Sequence, residues 1–339
     1  MSPVLVTGGA GYVGSHTVLA LAEAGYDVVV YDNLSFGHPE AVERIRAAYP
    51  RRSIRLVEGD ILDGPKVEAT IRASGANAVL HFAAFLFVAE SVAKPLDYYR
   101  NNVTGALSVL GAIAAAGVSR FVFSSTCATF GEPVTPTIDE THPQRPINAY
   151  GQTKLAVEQA LPHVERAHGI RWVALRYFNA SGADPEGRIG EDHDPEIHVI
   201  PLAIAAAQGG PPLTIFGDDY PTPDGTCIRD YVHVADLADA HVAALRSLEA
   251  GGPSGAFNLG NGNGVSVREL LDSVGRVTGR PVPHRMGARR PGDPARLVAS
   301  SARARQVLGW TPRVADLDAI VGTAWRWHRQ HRHGYRQLK

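Results

Sequence analysis

The chain has 339 residues, long for one compact domain and comfortable for two lobes. It is 45% hydrophobic and 20% charged, the balance of a globule with a sizeable core, and its net charge of −1 implies no global attraction to nucleic acid or to an anionic membrane. Its two cysteines, Cys127 and Cys227, lie too far apart in sequence to read as a disulfide framework or a zinc motif, and they suit a reducing cytoplasm.

The chain enters an apolar run at once ("MSPVLVTGGAG"), so no signal peptide is expected, and no apolar run approaches the roughly 18 residues of a membrane-spanning helix. A cytoplasmic protein without membrane contact is the expectation. Strands are predicted over 3–9, 26–33, 53–60, 77–84, 120–127 and 170–178, each a near-continuous apolar run of the kind buried on both faces of a parallel sheet. The segments between them, such as 13–24, 65–74, 99–116 and 150–167, have helical composition. This alternation predicts an α/β fold: a doubly wound, Rossmann-type parallel sheet over residues 1–178. After about residue 180, Pro and Gly clusters break the chain into shorter elements, which predicts a smaller, mixed α/β C-terminal lobe over 179–339. A strand near 230–260, at the start of "FNLGNGNG", is expected to return to the first sheet.

"VTGGAGYVGSH" (6–16) follows the first predicted strand and opens the first helix, with Gly8, Gly11 and Gly14 three residues apart. That placement provides a tight turn, close backbone approach to a pyrophosphate and a helix N-terminus whose amides and dipole favour phosphate. Asp32 ends the second strand, where a carboxylate accepts hydrogen bonds from the adenosine ribose and repels a 2′-phosphate, so NAD is expected rather than NADP. Asp60 and Ile61, at the end of the third strand, are placed beside the adenine.

The fifth strand ends in hydroxyls, Ser124, Ser125 and Thr126, at the strand edge where doubly wound sheets bind ligands. Tyr150 and Lys154 follow at i and i+4 on the next helix and share one face. Three candidate catalytic groups thus share one rim, as in the short-chain dehydrogenase/reductase superfamily. The series TGGxGxxGSH, EGD, HFAA, NNVTG, SSTxATFGE, YGxTK, LRYFNxxGAxPxGxxGE and DGTCIRDYVHVADLADAH resembles the UDP-glucose 4-epimerase family of extended short-chain dehydrogenases over residues 4 to about 312.

The resemblance implies an enzyme with tightly retained NAD that oxidises a UDP-hexose at C4, lets the 4-keto sugar turn over and reduces its other face. Tyr150 would be the general base, with Lys154 favouring its phenolate, since a free tyrosine pKa of about 10 is too high at neutral pH. Thr126 would bind the 4′-oxygen and relay its proton. Tyr12, Val13, Asn33, Phe82, Ala83, Ala84, Asn101, Ser124, Tyr177 and Phe178 would complete the cofactor site. Asn179, His198, Val199, Phe216, Arg229, Tyr231, Arg290, Asp293 and Leu297 would hold the UDP-sugar, the arginines through forked bonds to the diphosphate. Leu297 falls where family members differ in bulk beside the sugar's C2 substituent. Family members also pair as homodimers through helices near 99–116 and 150–167.

Departures from the family bear on the details. Leu86 stands where some members have a lysine near the cofactor phosphates, and His198 where some have an asparagine. Related 4,6-dehydratases carry Asp-Glu after the threonine; here Cys127 and Ala128 occupy those places and neither can transfer protons in that role. UDP-N-acetylhexosamine or UDP-pentose epimerisation stays open as an alternative, and so does a non-catalytic NAD-binding sensor. "EDHDPEIH" (191–198) reads as a covering loop with solvated polar groups, so no metal is expected. The histidines His328, His331 and His333 read as a basic helix end.

Overall fold

The computed structural model describes residues 2–290 and 293–335. In chain order its first part runs β1 (Val4–Thr7), α1 (Tyr12–Glu23), β2 (Val28–Asp32), α2 (Pro39–Ala48), β3 (Ile54–Glu58), α3 (Gly64–Ser74), β4 (Ala78–His81), α4 (Val88–Ala93), α5 (Pro95–Tyr98), a π-helical turn (Tyr99–Thr104), α6 (Gly105–Ala116), β5 (Arg120–Thr126), α7 (Ala149–His168) and β6 (Arg171–Tyr177). The second part runs β7 (Asn179–Ser181), α8 (Val199–Ala207), β8 (Leu213–Phe216), β9 (Ile228–His233), α9 (Val234–Glu249), β10 (Gly255–Leu259), β11 (Gly264–Ser266), α10 (Val267–Thr278), β12 (His284–Gly287), β13 (Arg296–Leu297), α11 (Ala302–Leu308) and α12 (Leu317–Gln330).

Among the described residues, seven strands form one sheet in the order β10-β6-β5-β4-β1-β2-β3, and every pairing in it is parallel. The near-continuous apolar runs have a simple cause. Successive side chains alternate between faces, and helices cover both faces. Val4, Val6, Val28 and Val30 pack with Val18, Leu21, Ile45 and Leu237 on one side. Leu5, Val29 and Tyr31 pack with Val67, Ile71, Val109, Ile113 and Val157 on the other. Each fully buried side chain of this size contributes about 1.5–3 kcal/mol of transfer free energy. The strand order reverses between β1 and β4, which opens a crevice at their C-terminal ends.

Beyond β6, a four-stranded sheet of β7, β9, β11 and β13 and a pair, β8 with β12, surround a separate core of Ile200, Ile204, Ile215, Leu270, Val274 and Ile320. A small cluster of Cys127, Phe130, Ile138, Phe178 and Ala299 lies near the ends of β5 and β6, and Leu297 packs against it.

One difference from the expected elements lies at 99–116, where a single helix was predicted. The chain opens this segment with a π-helical turn before α6. The turn contains Asn102, whose amide donates to the Phe85 carbonyl (3.0 Å) and whose oxygen accepts from the Phe85 amide (2.8 Å). An inserted residue of this kind re-aims a side chain, and such turns recur near functional sites.

Candidate active site

The turn from β1 to α1 presents backbone to the crevice. Gly8 adopts a left-handed φ of 70°, and a Cβ built on Gly14 would stand 2.1 Å from the Gly8 carbonyl oxygen. Only glycine permits that close packing of helix against turn. Gly11, the N-cap of α1, has no side-chain cap, so first-turn amides of Tyr12 and Val13 are available to an anion. The Tyr12 hydroxyl donates to the Gly182 carbonyl (2.6 Å), joining this turn to the second half of the chain.

Asp32 ends β2, is 7% exposed and accepts from the amides of Ala10 (3.0 Å) and Leu34 (2.9 Å). Burial raises its pKa, and these two amides oppose the shift. Asn33 reaches towards Asp60, amide to carboxylate, at 3.4 Å. The Ile61 side chain, by contrast, sits in the core beneath Gly105. At the end of β4 the amides of Phe82 and Ala83 donate to the Thr7 carbonyl, which brings Ala83 against Gly8. Ala84 follows in that loop, and the amide of Asn101 donates to the Asn102 oxygen (2.9 Å). The crevice therefore has the glycine turn, helix N-terminus and terminal acid that suit a dinucleotide.

The reacting groups lie on the neighbouring rim. The Asn148 side chain caps α7 by accepting from the Gly151 amide (2.8 Å), which puts Tyr150 in the first turn. A Cβ on Gly151 would stand 2.3 Å from the Ala128 carbonyl oxygen, so glycine lets this helix start close against the end of β5. Lys154 is buried and donates from Nζ to the Ser124 carbonyl (2.8 Å). The Ser124 hydroxyl is hydrogen-bonded to the Tyr177 hydroxyl. Burial pushes Tyr150 up to about 12, opposed by its hydrogen bond with Thr126. Burial pushes Lys154 down to about 7, opposed by the nearby Glu158 carboxylate. The lysine's hydrogen bond goes to a strand carbonyl, and the chain's own groups keep Tyr150 protonated at neutral pH.

The expected substrate residues gather beyond β6. Asn179 donates to the Asp230 carbonyl (3.1 Å). Arg229 donates to the Ile228 carbonyl (2.8 Å) and forms an ion pair with Asp293, while the Arg290 guanidinium lies 4.2 Å from the centre of the Phe216 ring. Leu297 pairs in register with Arg229. Tyr231 is buried among the second core, Val199 begins α8 and packs against that core, and Phe178 lies in the small cluster near β5.

The segment 191–198 departs from its expected role as solvated cover. Glu191 is 3% exposed, and its carboxylate pairs with the imidazoles of both His193 and His198. Proximity to two imidazoles holds Glu191 down to about 2 against the opposing effect of burial. His198 is therefore turned towards Glu191. Cys127 is inert packing, its thiol pushed up to about 12 by burial. Sequence reasoning missed Asp230, which accepts from the amides of Asn261 (2.8 Å), Gly262 (3.0 Å) and Ala299 (3.1 Å) and ties three segments together. It also missed Glu158, although the Lys154-plus-four spacing places it on the same helix face.

The model of the NAD-dependent epimerase/dehydratase family matches residues 4–260, and the chain belongs to that family. Its relatives narrow the class. A UDP-glucose 4-epimerase of Rhizobium leguminosarum bv. trifolii is 53% identical over 326 residues, 96% of this chain and 97% of its own. Another, from Halalkalibacterium halodurans, is 49% identical over 333 residues, 98% of this chain and 97% of its own. The crystal structure of UDP-glucose 4-epimerase from Brucella ovis in complex with NAD superposes with a TM-score of 0.90 at 52% identity, covering 95% of this chain and 97% of that one.

Proposed function

We propose that this chain interconverts UDP-galactose and UDP-glucose, with NAD as a retained cofactor, by oxidation at C4, rotation of the 4-keto sugar and reduction of its opposite face. The observation that carries the reading is the convergence of Thr126, Tyr150 and Lys154 beside a turn built for a dinucleotide. Bound NAD would supply the hydride acceptor and donor for C4′ and a positive charge that favours the Tyr150 phenolate.

Tyr150 accepts the 4′-hydroxyl proton and gives it back on reduction, with Thr126 hydrogen-bonded to both partners as relay. Lys154, held by the Ser124 carbonyl, would hold the nicotinamide ribose and, when protonated, add positive charge beside the phenolate. Asp32 would take the adenosine ribose, while Asn33, Asp60, the backbone of Ile61, Phe82, Ala83, Ala84, Asn101, Ser124, Tyr177 and Phe178 would line the remainder of the cofactor groove. Arg229 and Arg290 grip the diphosphate, Asp293 the uridine ribose, and Asn179, Val199, Phe216, Tyr231 and the Nε2 edge of His198, whose Nδ1 faces Glu191, the rest of UDP. The elements beyond β6 that lie outside the seven-stranded sheet, β7, β8, β9, β11, β12 and β13 with α8 and α10, then act as the gripping lobe, which leaves the hexose free to turn.

A homodimer through α6 and α7 is part of the proposal; Leu107 of α6 is 45% exposed, and Tyr99 of the preceding turn is 40% exposed. Cytoplasmic residence is supported by the two unpaired buried thiols. No helix among the described residues is long and apolar enough to cross a membrane.

Tyr150→Phe tests the chemistry. Turnover should fall by at least about a hundredfold while bound NAD stays at the wild-type level. Full activity in that variant would overturn the assignment.

A further inference from the structure

Four side chains of one eight-residue segment converge outside the reacting groups. One ligand atom from each of Glu191, His193, Glu196 and His198 lies within 4.8 Å of the other three. The His193 side chain is 6% exposed, and its Nδ1 stands 3.3 Å from Glu191 Oε1 and 3.7 Å from Glu196 Oε2 without a well-directed hydrogen bond to either. His198 Nδ1 contacts the same Glu191 oxygen. Two imidazole nitrogens and two carboxylate oxygens are therefore gathered in one small volume, with Glu196 Oε1 also accepting from the Ile197 and His198 amides.

We propose that this cluster is a binding site for a divalent cation of the zinc class. The donor set, two nitrogens and two oxygens in fourfold array, is one zinc accepts at about 2.0–2.2 Å per bond. A tetrahedron of that size has edges of roughly 3.3 Å, so an ion would draw the wider pairs together and open the His198–Glu191 contact. Two carboxylates balance the charge of the ion, which a partly buried site requires. Both imidazoles bind as neutral ligands, and any proton they carry passes to solvent.

The surroundings hold the donors in place. The Glu191 carbonyl accepts from Trp327 Nε1 (2.9 Å), and the Tyr12 ring stands edge-on to His193 with 6.1 Å between centres. His198 is the N-cap of α8. A cation here pins residues 191–198 between the cofactor turn and the start of α8.

The test uses untagged full-length protein, stripped with EDTA, desalted and titrated with zinc chloride. Calorimetry and elemental analysis should give one zinc per chain with Kd below about 1 μM. Glu196→Gln and His193→Asn should each weaken it by more than about tenfold. Glu196 lies at the rim, so its variant keeps the test valid if His193→Asn misfolds. Absence of saturable uptake would overturn the proposal. So would equal zinc uptake in wild type and both variants, which would place the ion elsewhere, as on the histidines at 328, 331 and 333.

Discussion

Arg176 Nε lies 3.0 Å from both carboxylate oxygens of Glu158, and the two side chains are only 7% and 5% exposed. The Ser125 hydroxyl also donates to Glu158. One buried ion pair thus joins α7, which carries Tyr150 and Lys154, to β6, which carries Tyr177, and to β5, which carries Ser124 and Thr126. Its role is registration: the three elements that supply the reacting groups are held at one depth.

Breaking one side of that pair leaves a buried charge alone. Arg176→Met should cost about 3–5 kcal/mol of stability, and Glu158→Leu a similar amount, whereas the double variant should recover much of the loss. Denaturant unfolding of the four proteins measures the coupling. Additive losses would show that the pair does not act as a unit.

Lys154 carries a pH signature. Its folded pKa, about 7, is below the unfolded value, so the unfolded chain binds the extra proton between about pH 7 and 10.5. The penalty for burying the charge is fully present below pH 7 and fades as pH rises through that window. Lys154→Met should therefore stabilise by an amount on the order of 1 kcal/mol at pH 6, after loss of the Ser124 hydrogen bond, and by less at pH 9. Its turnover should fall about a hundredfold or more. Thermal unfolding at the two pH values checks the sign.

Gly14→Ala forces a methyl group to within 2.1 Å of a backbone oxygen that cannot give way. The variant should purify with little NAD, read as nucleotide released on denaturation. Gly322→Ala is the contrast, since a methyl there, in α12, meets nothing within 4 Å. It should stabilise by roughly 0.5–1 kcal/mol with NAD content unchanged.

Leu297 stands on β13 beside Arg229 and against the cluster containing Cys127 and Phe178. If it meets the sugar's C2 substituent, Leu297→Ala should raise kcat/KM for UDP-N-acetylgalactosamine relative to UDP-galactose by roughly 10- to 200-fold. An unchanged ratio would place the selectivity elsewhere.

Much of the fold was legible because parallel strands buried on two faces leave uninterrupted apolar runs, as at 4–7 and 28–32, and because glycine spacing at 8, 11 and 14 has a local backbone cause. Tyr150 and Lys154 were legible for the same reason, since one helical turn fixes their relation. The hydrogen bond of Lys154 to Ser124 was not, because it depends on how α7 docks on β5. Nor was the convergence at 191–198: polar residues in an irregular segment carry no period, and only the folded chain reveals that Trp327 and Tyr12 enclose them. Asp230 was hidden likewise, as its three partners come from positions 261, 262 and 299.

The most direct measurement is proton NMR of the purified protein with UDP-galactose and no added NAD. Appearance of UDP-glucose, rising to a steady ratio of the two sugars, is the predicted result and would establish both C4 epimerisation and retained cofactor. A spectrum that stays UDP-galactose with and without added NAD, or one that accumulates a 4-keto-6-deoxy sugar, would contradict it.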